Sequence, residues 1–381
     1  MNKAVIVAAK RIPIGLYGGK LHKWETEDLL KSLFRHFKTT LSCPLEELDD
    51  VILGNVVGNG GNLARKSLLE AGIHHSVSGL TVDRQCGSGL EAIQLACRLV
   101  ESGAGEFYIA GGVESTSRAP WKMKRPTSLY PSEPPQFFER AAFAPEGQDP
   151  SMIEAAENVA EQFHISRENQ DVFAYESHMK ASGVQAQQQF DKEIVPLKVQ
   201  GEWMTQDEGI RPTIELRRLH RLKPLLPNGT VTVGNCCLKH DGAALVVVMS
   251  ETKARKLGLT EGLVFKGYTI EGVPPEILGI GPIPAVKRLL HQQQLTLSEI
   301  DAVELNEAFS SQVLASQREL GITKRQLNRY GGALAMGHPY SASGAILVTR
   351  LFHMTEAHRT LATMGIGGGM GNAALFERWS V

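Results

Sequence analysis

Glu47-Leu48-Asp49-Asp50-Val51-Ile52-Leu53-Gly54-Asn55 has an echo late in the chain, Glu299-Ile300-Asp301-Ala302-Val303-Glu304-Leu305-Asn306-Glu307. In both copies an acidic turn leads into a short apolar strand that ends on a polar residue. Asp301 follows Asp49 by 252 residues, and His338 follows Cys86 by the same 252. Each of that second pair precedes a Ser-Gly step and an apolar helical run, Ser88-Gly89 with Leu90 onward and Ser343-Gly344 with Ala345 onward. Each run leads towards a Gly-Gly stop, Gly111-Gly112 and Gly367-Gly368. Agreement at two separate points predicts a duplicated domain.

Around the first copy, apolar runs alternate with helical spacing. Val5-Ile6-Val7, Val51-Ile52-Leu53 and Phe107-Tyr108-Ile109-Ala110 read as buried strands, the last stopped by Gly111-Gly112. In Gly89–Ser102, Leu90, Ile93, Cys97 and Val100 share one helix face. This alternation predicts an α/β fold with a mostly buried sheet. The composition changes near Ala119. Seven prolines fall between Pro120 and Pro150 without clear periodicity, and Glu154–Phe163 and Arg167–Gln189 then read as amphipathic helices. The middle stretch is an inserted excursion, and strand character returns at Thr230–Val233 and Ala243–Met249.

The 381 residues are enough for two or three core-forming units, and 42% hydrophobic with 21% charged residues is an ordinary globular composition. Lys plus Arg is 40 and Asp plus Glu is 41, which argues against a nucleic-acid partner. The five cysteines, Cys43, Cys86, Cys97, Cys236 and Cys237, contain no CxxC pair, so neither a zinc site nor a disulfide framework is expected. No metal motif of the HExxH type and no GxxxxGK[ST] phosphate loop occurs. Ala4–Ala9 is too short and wrongly flanked for a secretory signal, and Ala243–Met249 is too short to cross a bilayer. The expectation is a cytoplasmic protein with no membrane partner.

Four segments can carry chemistry. In Asp83-Arg84-Gln85-Cys86-Gly87-Ser88-Gly89 a cysteine meets a glycine-rich turn before a helix, where the helix dipole and free N–H groups favour a thiolate. In Gly337-His338-Pro339-Tyr340-Ser341 a histidine lies at a second loop–helix junction, and imidazole is a suitable base for a thiol. Gly365-Ile366-Gly367-Gly368-Gly369-Met370-Gly371 fails the dinucleotide pattern at Met370, and bare N–H groups there would suit an oxyanion hole. Asn306 in Asn306-Glu307-Ala308-Phe309 is a helix cap or orients a water or a histidine. Each also has a packing explanation when taken alone.

Together these pieces resemble the thiolase family along essentially the whole chain. They come in its order: Cys86-Gly-Ser-Gly, Gly111-Gly112-Val113-Glu114-Ser115, Ala156-Glu157-Asn158-Val159-Ala160, Gly229-Thr230-Val231-Thr232, Asp241-Gly242-Ala243, Gly279-Ile280-Gly281-Pro282-Ile283-Pro284-Ala285, Asn306-Glu307-Ala308-Phe309 and Gly337-His338-Pro339. The resemblance implies two α/β halves stacked as five layers, αβαβα, with an inserted loop domain. Residues 1–119, completed by about 240–263, would form the first half, 120–239 the coenzyme A-binding insertion, and 264–381 the second half. It implies an acyl-CoA C-acyltransferase of the acetyl-CoA acetyltransferase or 3-ketoacyl-CoA thiolase type, with coenzyme A as substrate and no tightly bound cofactor. Cys86 would carry the acyl group and His338 would be its base. Asn306, through a water, and His338 would hold one thioester oxygen, and the N–H groups of Cys86 and Gly367 the other. Arg211, the nearest family match among Arg211, Arg217, Arg218 and Arg221, would meet the coenzyme A phosphates, and Phe309 would line the pantetheine tunnel. A homodimer or homotetramer is implied, and the β-rich stretch Phe107–Ala110 is the edge expected to pair.

The sequence departs from the family where the second step is run. The usual second cysteine, which moves the α-proton, is Gly365 here, and the alternative cysteine of some relatives is Ala308. Ser341 stands for a glycine, Cys237 for a serine that contacts coenzyme A, and His240 for an asparagine. An acyl-CoA hydrolase, an acyltransferase to another nucleophile, or a non-catalytic acyl-CoA-binding protein are the alternatives these departures raise.

Overall fold

The computed structural model describes residues 2–130, 134–137 and 140–380. The chain opens with β1 (Ala4–Arg11), β2 (Gly15–Leu16), α1 (Thr26–Thr40), β3 (Asp50–Gly54), α2 (Leu63–Glu70), β4 (Ser78–Val82), α3 (Ser88–Ser102) and β5 (Phe107–Glu114). The excursion holds α4 (Met152–Gln162), α5 (Arg167–Ala186), a small hairpin of β6 (Leu197–Val199) and β7 (Glu202–Met204), and α6 (Leu216–Leu219). The chain returns through β8 (His240–Ser250) and α7 (Glu251–Lys256). It closes with β9 (Glu261–Gly272), α8 (Pro282–Gln293), β10 (Ala302–Leu305), α9 (Ser310–Leu320), α10 (Ala333–Met336), α11 (Ser341–His353), β11 (Arg359–Ile366) and β12 (Met370–Ser380).

The strand order is β10-β11-β12-β9-β1-β8-β5-β3-β4, with β2 on β8. From the centre outward, β1-β8-β5-β3 and β9-β12-β11-β10 repeat one pattern: antiparallel, antiparallel, parallel. The two sets meet only at Val5–Val264 and Ile6–Leu263. The sequence echo has a physical job in each half. Asp49 accepts the N–H groups of Glu106 (2.7 Å) and Phe107 (2.9 Å), pinning the start of β5. Asp301 does the same for His358 (2.9 Å) and Arg359 (2.8 Å) at the start of β11.

Three apolar clusters explain the layering. Leu29, Leu33 and Phe37 of α1 and Leu68 of α2 pack on Val51, Leu53 and Val247. Val286 and Leu289 of α8 and Val313 of α9 pack on Val303, Leu305 and Leu361. Between the sheets, Ile93 and Val100 of α3 and Val348 and Leu351 of α11 meet Ile52, Ala110, Val246, Ala362 and Ala374. Alternate residues of one strand thus serve opposite faces, as Val51 and Ile52 do. The result is the five-layered αβαβα arrangement. The two central helices touch backbone to backbone at their starts. A Cβ on Gly89 would lie 2.2 Å from the Ser341 carbonyl oxygen, and one on Gly344 would lie 2.6 Å from the Leu90 nitrogen.

Three expectations are corrected. Gly111-Gly112 does not stop a strand. β5 continues through both, paired with Leu245 and Ala244, and Gly112 is bare because a Cβ would lie 2.2 Å from the Ser341 carbonyl oxygen. Thr230–Val233 is not a strand. Its N–H groups go to side chains instead: Thr230 and Val231 to Glu157, both 2.7 Å, and Thr232 to Asn235, 2.8 Å. Finally, Phe107–Ala110 is no edge, since β5 lies between β3 and β8. The outer strand of the first half is β4, with Leu80 exposed.

Candidate active site

Cys86 follows the turn after β4 and precedes Gly87, the cap of α3. The turn is closed by Ser88, whose hydroxyl accepts from the Arg84 N–H (2.8 Å) and donates to the Gln85 carbonyl (2.6 Å). Gln85 has φ +47°, a conformation that non-glycine residues rarely adopt. The turn after β11 brings the Gly367 N–H to the Cys86 sulfur, beside the N–H of Cys86 itself. Burial pushes the thiol up to about 12, and the Glu114 charge adds to this. The two N–H groups act the other way but lose. The helix-start argument for a resting thiolate is therefore overruled by desolvation.

His338 is 3% exposed. Its Nδ1 lies 2.6 Å from Ser343 Oγ, and its Nε2 has no hydrogen-bond partner among the described residues. Burial, helped by nearby His240, lowers its pKa to about 3. With the proton on Nδ1 and Ser343 accepting it, Nε2 presents a lone pair. At rest Cys86 is a thiol and His338 a neutral imidazole, so a thiolate has to be generated by a base at the moment of reaction. One consequence is a pH profile. Because the imidazole stays neutral down to about pH 3, the rate of acyl-enzyme formation should show no imidazole inflection near pH 6.5. Glu114, raised to about 7 by burial, is the other group beside Cys86 that changes charge in that range. An inflection near pH 6.5 that survives Glu114→Gln would contradict this account.

Asn306 is 2% exposed, and neither Nδ2 nor Oδ1 finds a partner among the described residues. A buried amide left open costs about 1–3 kcal/mol per group, so this one is held ready for a ligand or water. The adjoining Glu307, in contrast, is fully used by Ser177 (2.7 Å), Asn328 (2.8 Å) and the Leu334 N–H (3.2 Å). The segment Cys236–Lys239 laces the two loops together. The Cys237 N–H donates to the Ala308 carbonyl (2.9 Å), and the His338 N–H donates to the Leu238 carbonyl (3.3 Å). Cys236 bridges to Phe309. Cys237 is close enough to Cys86 for their charges to interact.

Gly365 lies opposite Gly371 on β12. A Cβ there would meet the carbonyl oxygens of Gly279 (3.4 Å) and Leu278 (3.5 Å) and the Gly279 Cα (3.6 Å), all ordinary contacts. Those neighbours offer no ionisable side chain. The insertion covers Gly367 with the Phe143 ring, whose atoms would lie 3.5 Å from a Cβ at that glycine. Phe309 is half-buried beside Cys236. Arg211, Arg217, Arg218 and Arg221 are exposed on the insertion. Glu215 pairs with Arg217 (2.7 Å) and Arg218 (3.3 Å), which leaves Arg211 and Arg221 without an ion pair among the described residues. Sequence reasoning missed Tyr340, whose backbone strain and proximity to Cys86 leave no mark in the residue order.

Cys86 and His338 thus stand just before the starts of the two central helices of a duplicated α/β fold, where those helices meet. The chain matches the family models for the thiolase N-terminal domain over residues 4–252 and the thiolase C-terminal domain over 261–378. A Staphylococcus epidermidis protein named "Putative acetyl-CoA C-acetyltransferase VraB" is 64% identical over 379 residues, covering 100% of this chain and 99% of its own. A Staphylococcus aureus protein of the same name is 55% identical, with 100% of both chains covered. The crystal structure of the Bacillus anthracis acetyl-CoA acetyltransferase superposes with a TM-score of 0.94 at 34% identity, covering 99% of each chain. The chain belongs to the thiolase family and is a thiolase-type acyltransferase. No helix among the described residues is long and apolar enough to cross a membrane.

Proposed function

We propose that the protein is an acyl-CoA C-acyltransferase of the acetyl-CoA acetyltransferase or 3-ketoacyl-CoA thiolase type. The observation that carries the reading is the set of open polar groups in the region of Cys86. The Gly367 N–H points at Cys86, while His338 Nε2 and the Asn306 amide lie buried and open. Cys86 attacks the thioester carbonyl while His338 takes its proton. The oxygen that becomes negative is held by the N–H groups of Cys86 and Gly367. His338 and Asn306, the latter through a water, hold the oxygen of the second acyl-CoA. Arg211 meets the phosphates of coenzyme A, and Phe309 lines the pantetheine path. The insertion, residues 120–239, is the coenzyme A-binding domain, lying between the halves 1–119 with 240–263 and 264–381.

One observation favours a second reading. Gly365 carries no side chain, and its neighbours are carbonyl groups, so an acyl-Cys86 that only hydrolyses or passes to another nucleophile is the alternative. Supplying acetoacetyl-CoA with coenzyme A separates the two. Two acetyl-CoA per turnover is the expected product, and free acid alone would establish the alternative.

We further propose a homodimer or homotetramer in the cytoplasm, paired along β4. An uncovered strand edge with an exposed leucine is a liability that symmetric pairing removes. Light scattering at micromolar concentration should give at least twice the 41.6 kDa chain mass. A monomer mass would overturn it.

A further inference from the structure

Carbon–carbon cleavage or formation next to a thioester requires a proton to move at the carbon between the two carbonyls. This inference rests on the acyl-Cys86 reading above. In the proposed reaction Cys86 is the nucleophile and His338 its base, and Asn306 and Gly367 can only hold oxygens. Four other polar groups surround the thiol: Glu114, Asp83, Cys237 and Tyr340. Glu114 is closed by Asn55 Nδ2 (2.7 Å) and the N–H groups of Val56, Val57 and Ser341. Asp83 is exposed and accepts from the Gln85 N–H (2.8 Å). Cys237 is fixed through its backbone to the Asn306 loop.

Tyr340 is placed differently. It caps α11 at φ +30° and ψ −103°, a conformation that bulky residues essentially avoid. Such an outlier persists only where its surroundings enforce it. The next residue enforces it: the Ser341 N–H donates to Glu114 (3.2 Å), its hydroxyl donates to the Val113 carbonyl (2.9 Å), and its carbonyl abuts Gly89. The strained residue thus sits where the start of α11 meets the start of α3, with Cys86 just ahead of the latter. Its ring stands edge-on to His338, with centroids 5.5 Å apart at 89°. The phenol is near enough to Cys86 and Cys237 to feel their charges, and it makes no hydrogen bond among the described residues. Burial and those charges keep it protonated.

We propose that Tyr340 is the catalytic acid at the carbon between the carbonyls, in the role that Gly365 cannot fill. In cleavage, the Cys86 sulfur adds to the 3-keto carbonyl and its proton goes to His338. The bond between C2 and C3 then breaks, and its electron pair stays on C2 as a thioester enolate. The Tyr340 O–H gives its proton to C2, releasing the shortened acyl-CoA product. The imidazolium of His338 returns a proton to the phenolate and, neutral again, takes the thiol proton of incoming coenzyme A, whose sulfur attacks the acyl-Cys86 carbonyl. Cys86 leaves as thiolate and recovers its proton from His338. The N-termini of α3 and α11 meet at this point and favour the transient negative charge.

The test compares two reactions of the full-length protein. Exchange of labelled coenzyme A into acetyl-CoA needs only acyl-Cys86. Thiolysis of acetoacetyl-CoA also needs the carbon proton. Tyr340→Phe should slow thiolysis by about 10²-fold or more while the loss does not extend to exchange. Adding Gly365→Cys to Tyr340→Phe should bring thiolysis to the rate of Gly365→Cys alone, whereas the loss from a merely structural tyrosine would persist in the double variant. Equal losses in both reactions, undiminished thiolysis, or a thiolysis-specific loss in Cys237→Ala instead would overturn the assignment. Absence of exchange in the unaltered protein would overturn the acyl-Cys86 reading itself; exchange with thiolysis indifferent to Tyr340→Phe would overturn this inference alone.

Discussion

Cys86→Ala is expected to abolish both coenzyme A exchange and thiolysis, with turnover falling by about 10⁴-fold or more. The size follows from the geometry. The Gly367 N–H meets this sulfur, and the open groups of His338 and Asn306 lie on the loops that Cys236–Lys239 ties together beside it. Cys237 is nearby, but its thiol is pushed well above its ordinary value by burial and by the cysteines beside it. The fold should survive the change, since the turn at Cys86 is closed by Ser88 rather than by the thiol. Retained exchange in Cys86→Ala would place the nucleophile elsewhere.

Gly365→Cys is expected to raise acetoacetyl-CoA thiolysis by about 10²-fold without changing exchange, because a general acid–base group contributes in that range. The position can accept the side chain. Its backbone is not in the left-handed region, and the new Cβ would meet only ordinary contacts at 3.4 Å and beyond. The added thiol would share its task with Tyr340, so the gain belongs at the lower end of the range. If the unaltered protein already turns over at an ordinary rate of about 10 per second, and the folded variant is no faster, the second step is not limited by the missing thiol.

Much of this was legible in the residue order, and the reasons differ by element. The echo at Asp49 and Asp301 was readable because one short carboxylate pins each strand start, and that task tolerates little change of residue or spacing. The helix starting at Ser88 showed because its buried face keeps a strict spacing. Cys86, His338, Asn306 and Gly367 were found by motif, and the structure brings open groups of all four to one region of the molecule. What escaped depends on contacts distant in sequence. Gly111-Gly112 reads as a stop until the Ser341 carbonyl is seen crossing it. Thr230–Val233 reads as a strand until Glu157 takes its N–H groups. The strand at Phe107 reads as an edge because no local signal tells which neighbours flank it. The balance between desolvation and helix dipole at Cys86 is a matter of burial depth, and the strain at Tyr340 is a matter of enclosure. Neither is written in composition or periodicity.

The central claim is that Cys86 carries the acyl group, and peptide mass mapping after brief exposure to acetyl-CoA tests it most directly. The account predicts one acetyl group, on the peptide containing Cys86, which disappears on adding coenzyme A and regenerates acetyl-CoA. An unmodified protein, or an acetyl group on Cys237 or Cys236 in place of Cys86, would contradict it.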